Sequence, residues 1–349
     1  MSETSNATRP AGFTAMPDLA SRALGGSVVA ANDELFAERE NLIKPEPAEF
    51  SPHEFGHKGK VYDGWETRRR RDDGHDWAIV RLGVPGIVHG VVVDTSWFTG
   101  NYPPFVSVEA VNVDGYPTPD ELLDLDWTSL LERSPAYGDT ANQYAVKDRG
   151  VWSHVRLSIH PDGGVARFRV HGIPVPDPRF LTGTVDLAAL ENGGRLVDCS
   201  DAFYSSPQNL ILPGRASIMG HGWENARRRG GGNDFAVFAL AGEGVIDHVE
   251  LDTSYFVGNA PGWMRVQACH AEPDASVADL TEATWWDVVA KQRTLPDTRH
   301  RFLVEPRPDD SRAATHVRLD VYPDGGLARM RIYGRLTESG LADLRHAAG

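Results

Sequence analysis

Two glutamates, each beside a run of arginines, are the residues whose types and spacing are best suited to chemistry. Glu66 follows Gly-Trp and precedes Thr-Arg-Arg-Arg-Arg, and Glu224 follows Gly-Trp and precedes Asn-Ala-Arg-Arg-Arg. A carboxylate beside guanidinium groups stays ionised, so either glutamate can act as a general base or accept the N–H groups of a urea-like amide. The structural alternative is that each glutamate pairs with a nearby arginine and closes a turn.

The two glutamates belong to a module that is written twice in the chain. Gly64 and Gly222 are 158 positions apart, and the same spacing recurs at other pairs. These are Asp76 and Asp234, Gly86 and Gly244, Asp94 and Asp252, and Asn101 and Asn259. Upstream, Asn41 and Asn209 are 168 positions apart, so the first copy carries ten extra residues before its Gly-Trp-Glu. A period of this length indicates duplicated domains rather than a solenoid of short repeats.

The arginine runs are the densest basic segments of an acidic chain. The planar fork of arginine can bind a carboxylate through two hydrogen bonds, each contributing about 1.5–3 kcal/mol when sheltered. Side chains alternate along extended segments, so part of each run is expected to face solvent. The arginines predicted to contact a substrate are Arg68, Arg69, Arg70, Arg227 and Arg228.

Polar residues in the loops and one histidine complete the candidate set. Asn101 and Asn259 follow apolar strands and could bind a substrate amide, although loop asparagines commonly cap turns with their own side chains. His75 is replaced by Asn233 in the second copy. A residue needed at one asymmetric site can survive in a single copy, which makes His75 a candidate acid; drift on a neutral surface predicts the same pattern.

Composition narrows the function classes. Hydrophobic residues at 41% and charged residues at 24% are ordinary for a globular protein, and the net charge of −14 argues against nucleic acid or an anionic membrane as a partner. Only Cys199 and Cys269 are present, at non-equivalent places, so no disulfide framework or zinc spacing is predicted. The sequence shows no secretory signal and no apolar run long enough to span a membrane, which favours a cytoplasmic location.

Strand patterns dominate the predicted secondary structure. Alternating or apolar runs occur at 76–82, 86–93, 105–110, 154–159 and 165–170. Pro161-Asp-Gly-Gly164 is expected to join the last two strands as a hairpin, as is Pro323-Asp-Gly-Gly326 in the second copy. Helical spacing is found at 119–131, 277–289 and about 338–346. Many short strands with one inserted helix favour a mostly β fold, with an antiparallel sandwich or jelly roll in each copy.

The predicted organisation is a pair of tandem domains with short flanking segments. It comprises a flexible N-terminal tail over 1–22, a first repeat over 23–175, a linker over 176–194, a second repeat over 195–338, and a C-terminal tail or short helix over 339–349.

Several of these segments together closely resemble the allantoicase family. They are Asn41-Leu-Ile-Lys44, Asp63-Gly-Trp-Glu-Thr-Arg-Arg-Arg-Arg71, Asp94-Thr-Ser-Trp-Phe-Thr-Gly-Asn101, Leu212-Pro-Gly-Arg215, Gly222-Trp-Glu224 and Asp252-Thr-Ser-Tyr-Phe-Val-Gly-Asn259. The likeness covers about residues 24 to 338. One departure is His221, where the family pattern has an acidic residue; another is Ala226, which shortens the second arginine run.

The resemblance implies hydrolysis of allantoate to ureidoglycolate and urea, two galactose-binding-like jelly-roll repeats and a homo-oligomer. The family is also associated with a divalent metal such as manganese. This sequence shows no ligand spacing for a metal, and no cofactor is evident from it. Allantoate carries one carboxylate and two ureido groups. The hypothesis is that arginines bind the carboxylate, Glu66 or Glu224 handles a ureido group or water, and His75 protonates departing urea.

Two alternatives stay open at this point. A tandem of jelly-roll modules with exposed aromatic residues could be a non-catalytic protein that binds a carbohydrate or another ligand. The departures at His221 and Ala226 also permit a hydrolase that acts on a related ureido acid.

Overall fold

The computed structural model describes residues 12–50, 53, 55–56, 59–60, 62–304 and 312–348. The chain separates into two compact units, Met1–Pro174 and Val175–Gly349, called here the first and second repeat. Each is mostly β, with few helices, and forms a sandwich of antiparallel sheets. The two tandem mostly β domains predicted from the sequence are thus confirmed.

The first repeat contains eleven strands and one α-helix in the described part of the chain. They are β1 (Ser27–Ala31), β2 (Phe55–Gly56), β3 (Gly59–Lys60), β4 (Trp65–Glu66), β5 (Asp76–Asp94), β6 (Phe105–Val111), α1 (Pro119–Leu123), β7 (Thr128–Pro135), β8 (Ala141–Ala145), β9 (Val151–His160), β10 (Gly164–Val165) and β11 (Arg167–Pro174).

The second repeat follows the same order, again within the described ranges. In chain order, its elements are β12 (Val185–Asp186), β13 (Arg195–Cys199), β14 (Asp234–Asp252), β15 (Trp263–Cys269), α2 (Val277–Glu282), β16 (Trp286–Arg293), β17 (Arg299–Leu303), β18 (Ala314–Tyr322), β19 (Arg329–Leu336) and α3 (Glu338–Ala348).

One long strand organises each repeat. The first half of β5 pairs with β1 and β9, and its second half pairs with β8 and β11. The register shifts between Arg81 and Gly86, where the strand passes from one sheet to the other. In the second repeat, the first half of β14 pairs with β13 and β18, and its second half pairs with β17 and β19. Apolar side chains such as Val80 and Val91, both 0% exposed, fill the core.

This bent strand explains why the hairpin prediction was wrong. β9 pairs with β5 and β6, whereas β11 pairs with the far half of β5. The Pro161-Asp-Gly-Gly164 segment therefore links the two sheets instead of joining two paired neighbours. Pro323-Asp-Gly-Gly326 has the same role between β18 and β19.

The predicted helices after β6 and β15 were too long. α1 and α2 end at Leu123 and Glu282, and the segments that follow pair with β6 and β15 as β7 and β16. Each helix begins with a capping box, formed by Thr118 in α1 and Ser276 in α2. Sheet pairing overrides the helical spacing of the second half of each segment. The C-terminal helix is present as α3.

The segments expected to be a tail and a linker pack against the repeats. Leu19 and Ala20, within the expected N-terminal tail, are fully buried, and only residues 1–11 of that tail lie outside the described residues. In the expected linker, β12 pairs with β19, and Leu187 is fully buried. Apolar residues in both segments cover the edge of a sheet, which composition alone did not indicate. None of the helices in the described ranges is long and apolar enough to cross a membrane.

Candidate active site

The Gly-Trp-Glu segment is locked in place by its first two residues. A Cβ at Gly64 would lie 2.8 Å from the carbonyl oxygen of Val165, and one at Gly222 would lie 2.2 Å from that of Leu327. Only glycine permits this close approach to the opposite strand. Trp65 is fully buried, and its indole N–H donates to the backbone oxygen of Asp33 at 2.8 Å. Each glutamate is therefore presented from a fixed backbone.

Each glutamate is held by the asparagine predicted for the same site. The Asn101 side-chain amide donates to Oε1 of Glu66 at 2.6 Å, and the Asn259 amide donates to Oε1 of Glu224 at 2.7 Å. The distance along the chain is 35 residues in both repeats. The structure thus joins four of the predicted residues into two equivalent Glu–Asn pairs. The alternative in which each glutamate pairs with an arginine is not what these contacts show.

The two glutamates differ in burial. Glu66 is 9% exposed, whereas Glu224 is only half-buried. Among the described residues, no group donates a hydrogen bond to Oε2 of Glu66. Burial raises the pKa of the Glu66 carboxyl, and the hydrogen bond from Asn101 offsets part of that rise. A carboxyl with a raised pKa and one uncommitted oxygen is suited to transferring a proton near neutral pH.

Within the arginine runs, Arg70 and Arg228 have structural partners. Nη2 of Arg70 lies 2.6 Å from Oδ1 of buried Asp76, and Arg228 forms the equivalent ion pair with Asp234. The backbone N–H of Arg70 also donates to Asp162 at 2.7 Å. These contacts fix the loop between β4 and β5. The hydrogen bond and charge of Asp76 raise the pKa of Arg70.

The remaining predicted arginines lie at the surface. Arg68 forms an ion pair with Asp33, and its backbone N–H donates to the same carboxylate at 2.7 Å. Its counterpart Ala226 keeps the backbone bond, at 2.8 Å to Asp201, but has no guanidinium. Arg69 and Arg227 are exposed. These two have the solvent access that a substrate-binding arginine needs.

His75 is exposed and lies against another histidine. Its ring centroid is 4.6 Å from that of His160, whose Nε2 is 2.9 Å from Oγ of Ser107. Partial burial, followed by the charges of Arg156 and Arg70, lowers the pKa of His75. The neutral imidazole therefore dominates at pH 7, which does not suit a group that must donate a proton to departing urea.

The sequence prediction overlooked a polar cavity in the second repeat. Its volume is about 390 Å³, and its wall includes Asp186, Glu250, Asp252 and the β19 arginines Arg329 and Arg331. Arginines at alternate positions of β11 and β19 fit the pattern of a half-buried strand with its polar side in solvent. The available signal was the repetition of Ala-Arg-x-Arg in both copies, since charges rarely persist on a sheet face without a partner.

The metal that accompanies the family resemblance has no donor cluster in the described ranges. There, no three His, Cys, Asp or Glu side chains are arranged to hold a metal ion. The described residues therefore do not fit a divalent metal ion.

Similarity to known proteins runs along both repeats. A family model described as the allantoicase repeat matches residues 17–175 and 185–337. The chain is 54% identical to a probable allantoicase of Nocardia farcinica, over 94% of this chain and 96% of the relative. It is 39% identical to an allantoicase of Dictyostelium discoideum, over 92% of this chain and 88% of the relative.

A solved structure agrees with the sequence relatives. The crystal structure of allantoicase from Saccharomyces cerevisiae superposes with a TM-score of 0.77 and 34% sequence identity, covering 92% of this chain and 93% of the yeast chain. Because the family model accounts for most of the chain and the relatives match nearly end to end, the protein belongs to the allantoicase repeat family.

Proposed function

We propose that the protein is an allantoicase: a hydrolase that cleaves a C–N bond of allantoate with water and yields ureidoglycolate and urea. The observation that carries this proposal is the similarity of both repeats, almost end to end, to proteins named allantoicase. This reaction serves purine breakdown and nitrogen use. A cytoplasmic location and assembly into a homo-oligomer belong to the same proposal.

The Glu–Asn pairs support this chemistry. In each pair the asparagine amide occupies Oε1, which orients the carboxyl and leaves Oε2 for the substrate. Oε2 can accept an N–H of a ureido group or take a proton from the attacking water. Glu66, with its raised pKa, can return that proton to the nitrogen of departing urea. Proton transfer of this kind typically contributes about 10²–10⁴ in rate.

The substrate carboxylate needs a cation that is not already paired. Arg70 and Arg228 are engaged with Asp76 and Asp234, so a substrate would have to compete with a buried carboxylate. Arg69 and Arg227 face solvent and are the better candidates within the runs. His75 is retained as a candidate acid that would require protonation first.

The test is urea release from allantoate by the purified protein. Allantoin and ureidoglycolate serve as control substrates, and each assay is run after chelator treatment, with and without manganese. Release from allantoate alone supports the proposal. Release from another ureido acid, or none under either condition, contradicts it and points to a relative with different specificity or to a binding protein.

A further inference from the structure

The cavity of the second repeat contains buried polar atoms that make only long ion-pair contacts, such as the 4.0 Å between Oε2 of Glu250 and Nε of Arg301. In the described part of the chain, no hydrogen bond is made by Nη1 of Arg331, Oδ2 of Asp186 or Oε2 of Glu250. The side chains are 9%, 10% and 8% exposed, respectively. Nη1 of Arg331 and Oδ2 of Asp186 are 3.5 Å apart, which is long for a charge-assisted hydrogen bond. Buried polar atoms without partners are costly unless a ligand or water satisfies them.

Two cations lie side by side in the wall of the cavity. Arg329 and Arg331 are separated by one residue of β19, so their side chains project from the same face of the strand. Arg329 donates to the backbone oxygens of Gly214 at 3.2 Å and of Ala328 at 2.7 Å, and also contacts that of His221. Burial, followed by the charge of Arg331, lowers the pKa of Arg329 to about 10. An anion placed beside them would favour both charges.

Acceptors stand opposite these cations. Asp186 uses Oδ1 to accept the backbone N–H of Ile332 at 2.9 Å, and Oε1 of Glu250 pairs with Arg299 at 2.5 Å. The second oxygen of each carboxylate has no hydrogen bond among the described residues. Burial raises the pKa of Asp186. The cavity thus offers donors and acceptors together, which suits a molecule that carries a carboxylate and N–H groups.

In the first repeat the equivalent arginines are held by backbone oxygens and by two carboxylates. Arg167, the counterpart of Arg329, donates to the backbone oxygens of Glu46 at 2.8 Å and Pro47 at 3.2 Å, and to Oδ2 of Asp63 at 2.7 Å. Arg169, the counterpart of Arg331, donates to Pro45 at 3.2 Å and to Asp18 at 3.3 Å.

Two sequence differences distinguish the cavity wall of the second repeat from the same place in the first. Backbone oxygens of the loop after the Asn-Leu-Ile motif accept from the arginines in both repeats, since Arg331 donates to Leu212 at 2.7 Å and to Gly214 at 2.5 Å. Position 221 is His instead of the acidic residue found at 63, so Arg329 has no carboxylate there. In addition, Glu250 replaces buried Val92 and brings an acceptor into the cavity wall.

We propose that the cavity of the second repeat binds one small molecule per chain that carries a carboxylate and ureido-type N–H groups. The carboxylate contacts Arg331 Nη1 beside Arg329, and the N–H groups donate to Asp186 Oδ2 and Glu250 Oε2. A volume of about 390 Å³ is sufficient for a molecule of this size. The link between this ligand and the substrate or product of the enzyme rests on the proposed function; the site itself rests on the geometry above.

The test is equilibrium binding measured by calorimetry, with hydantoate as the probe because it combines one carboxylate with one ureido group. Propionate, methylurea and glycine separate the contributions of the carboxylate, the ureido group and a simple ammonium. We expect one hydantoate per chain and at least about tenfold weaker binding of each control compound, which corresponds to about 1.4 kcal/mol. A stoichiometry of two, no binding, or equal binding of propionate or glycine would overturn the proposal.

Matched variants locate the site. Arg331→Lys and Glu250→Gln are expected to weaken hydantoate binding about tenfold or more, whereas Arg169→Lys, at the equivalent position of the first repeat, leaves it unchanged. Arg215→Ala, at a cavity-wall side chain that is 69% exposed, keeps the test available if a buried substitution prevents folding, and it should weaken binding severalfold. Weakening by Arg169→Lys, or none by the cavity variants, contradicts the assignment.

The binding and turnover experiments fail independently. Hydantoate binding at one site without urea release from allantoate would keep the cavity proposal and remove the proposed function. Urea release without hydantoate binding would keep the function and remove the cavity proposal.

Discussion

The last strand of each repeat begins with the same pair of arginines, but their surroundings differ. In the first repeat, Arg167 is 1% exposed and paired with Asp63, and the chain segment around Glu46 covers it. In the second repeat, Arg329 and Arg331 border an open cavity. The strand is duplicated almost unchanged, and backbone oxygens of the loop after Ile43 or Ile211 accept from its arginines in both copies. The repeats differ in the residue before Gly-Trp-Glu, which is Asp63 in the first and His221 in the second. A buried arginine can therefore be a structural tie or part of a binding site, depending on whether a carboxylate elsewhere in the sequence reaches it.

The Glu–Asn pairs show the opposite relation between the repeats. Glu66 with Asn101 and Glu224 with Asn259 have nearly the same hydrogen-bond distance, but Glu66 is more buried and the Asn259 amide also lies 3.2 Å from Sδ of Met219. If both repeats performed the same chemistry, both pairs would be needed. If one repeat has become structural, one pair would be dispensable.

The largest expected effect comes from removing the carboxylates. Glu66→Gln preserves the size and the hydrogen bond from Asn101 but cannot exchange the proton, so turnover of allantoate should fall by about 10²–10⁴. Glu224→Gln, at a less buried site, is the matched variant. Steady-state urea release gives kcat for each, and thermal unfolding shows whether the fold is kept. Unchanged turnover in both variants would rule out the Glu–Asn pairs as proton-transfer groups.

The arginine contrast predicts a difference in stability. Arg167→Met removes the guanidinium that donates to four backbone oxygens and to Oδ2 of Asp63, so the free energy of unfolding should fall by about 3 kcal/mol. The Asp63 carboxylate keeps its contacts with Lys44 and the backbone N–H of Glu49. Arg329→Met removes a cation that has no carboxylate at position 221, and the expected loss is about 1–2 kcal/mol.

Denaturant unfolding of the two variants measures this difference directly. The dependence of the unfolding free energy on denaturant concentration should be compared among the variants. A change in this slope would signal a change in the unfolding mechanism rather than in stability. Equal losses for the two variants would show that the ion pair with Asp63 adds nothing to the stability that Arg167 provides.

A third comparison concerns histidines that occupy equivalent positions. His154 is 2% exposed and His316 is 0% exposed, and burial lowers the pKa of each to about 4. The neighbouring charges Arg81 at His154, and Arg195 and His270 at His316, act in the same direction. In the unfolded chain both regain a pKa of about 6.5.

The sign follows from proton uptake. Between about pH 6.5 and pH 4 the unfolded state binds more protons, so stability is lost as the pH falls through this window and is fully present above it. The expected slope is about 1 kcal/mol per pH unit for each histidine. Denaturant unfolding at pH 7 and pH 5 measures it. His154→Gln with His316→Gln should reduce the dependence and leave the part due to His160, whose pKa burial also lowers to about 4. An unchanged slope in the double variant would assign the effect to other groups.

The sequence predicted the features of the molecule that follow from periodic or duplicated residues. Alternation of apolar residues placed most strands, and the matched spacing of Glu66 and Asn101 with Glu224 and Asn259 singled out residues that the fold brings together. Such features depend on local pattern and on register along one strand. The hairpin at Pro161 failed because a turn signal does not say which sheet receives the next strand.

The arginines show the limit of sequence patterns more clearly. Arg70 and Arg228 were grouped with the substrate-binding residues by composition, but the positions of Asp76 and Asp234 give them structural partners. Arg167 and Arg329 follow an alternating pattern that suggests solvent. Their burial depends on where the loop after Ile43 or Ile211 crosses the sheet, and no spacing in the sequence reveals that crossing.

The smallest predicted effect tests whether position 221 separates the two repeats. His221→Asp restores the acidic residue that stands at position 63, where Oδ2 of Asp63 accepts from Arg167 at 2.7 Å. The new carboxylate should pair with Arg329, raise the free energy of unfolding by about 1 kcal/mol, and weaken hydantoate binding because it competes for the same cation. His221→Asn, which adds no charge, is the control. A variant that gains stability and keeps its affinity would show that Arg329 takes no part in holding the ligand carboxylate, and the anion contact would then belong to Arg331 alone.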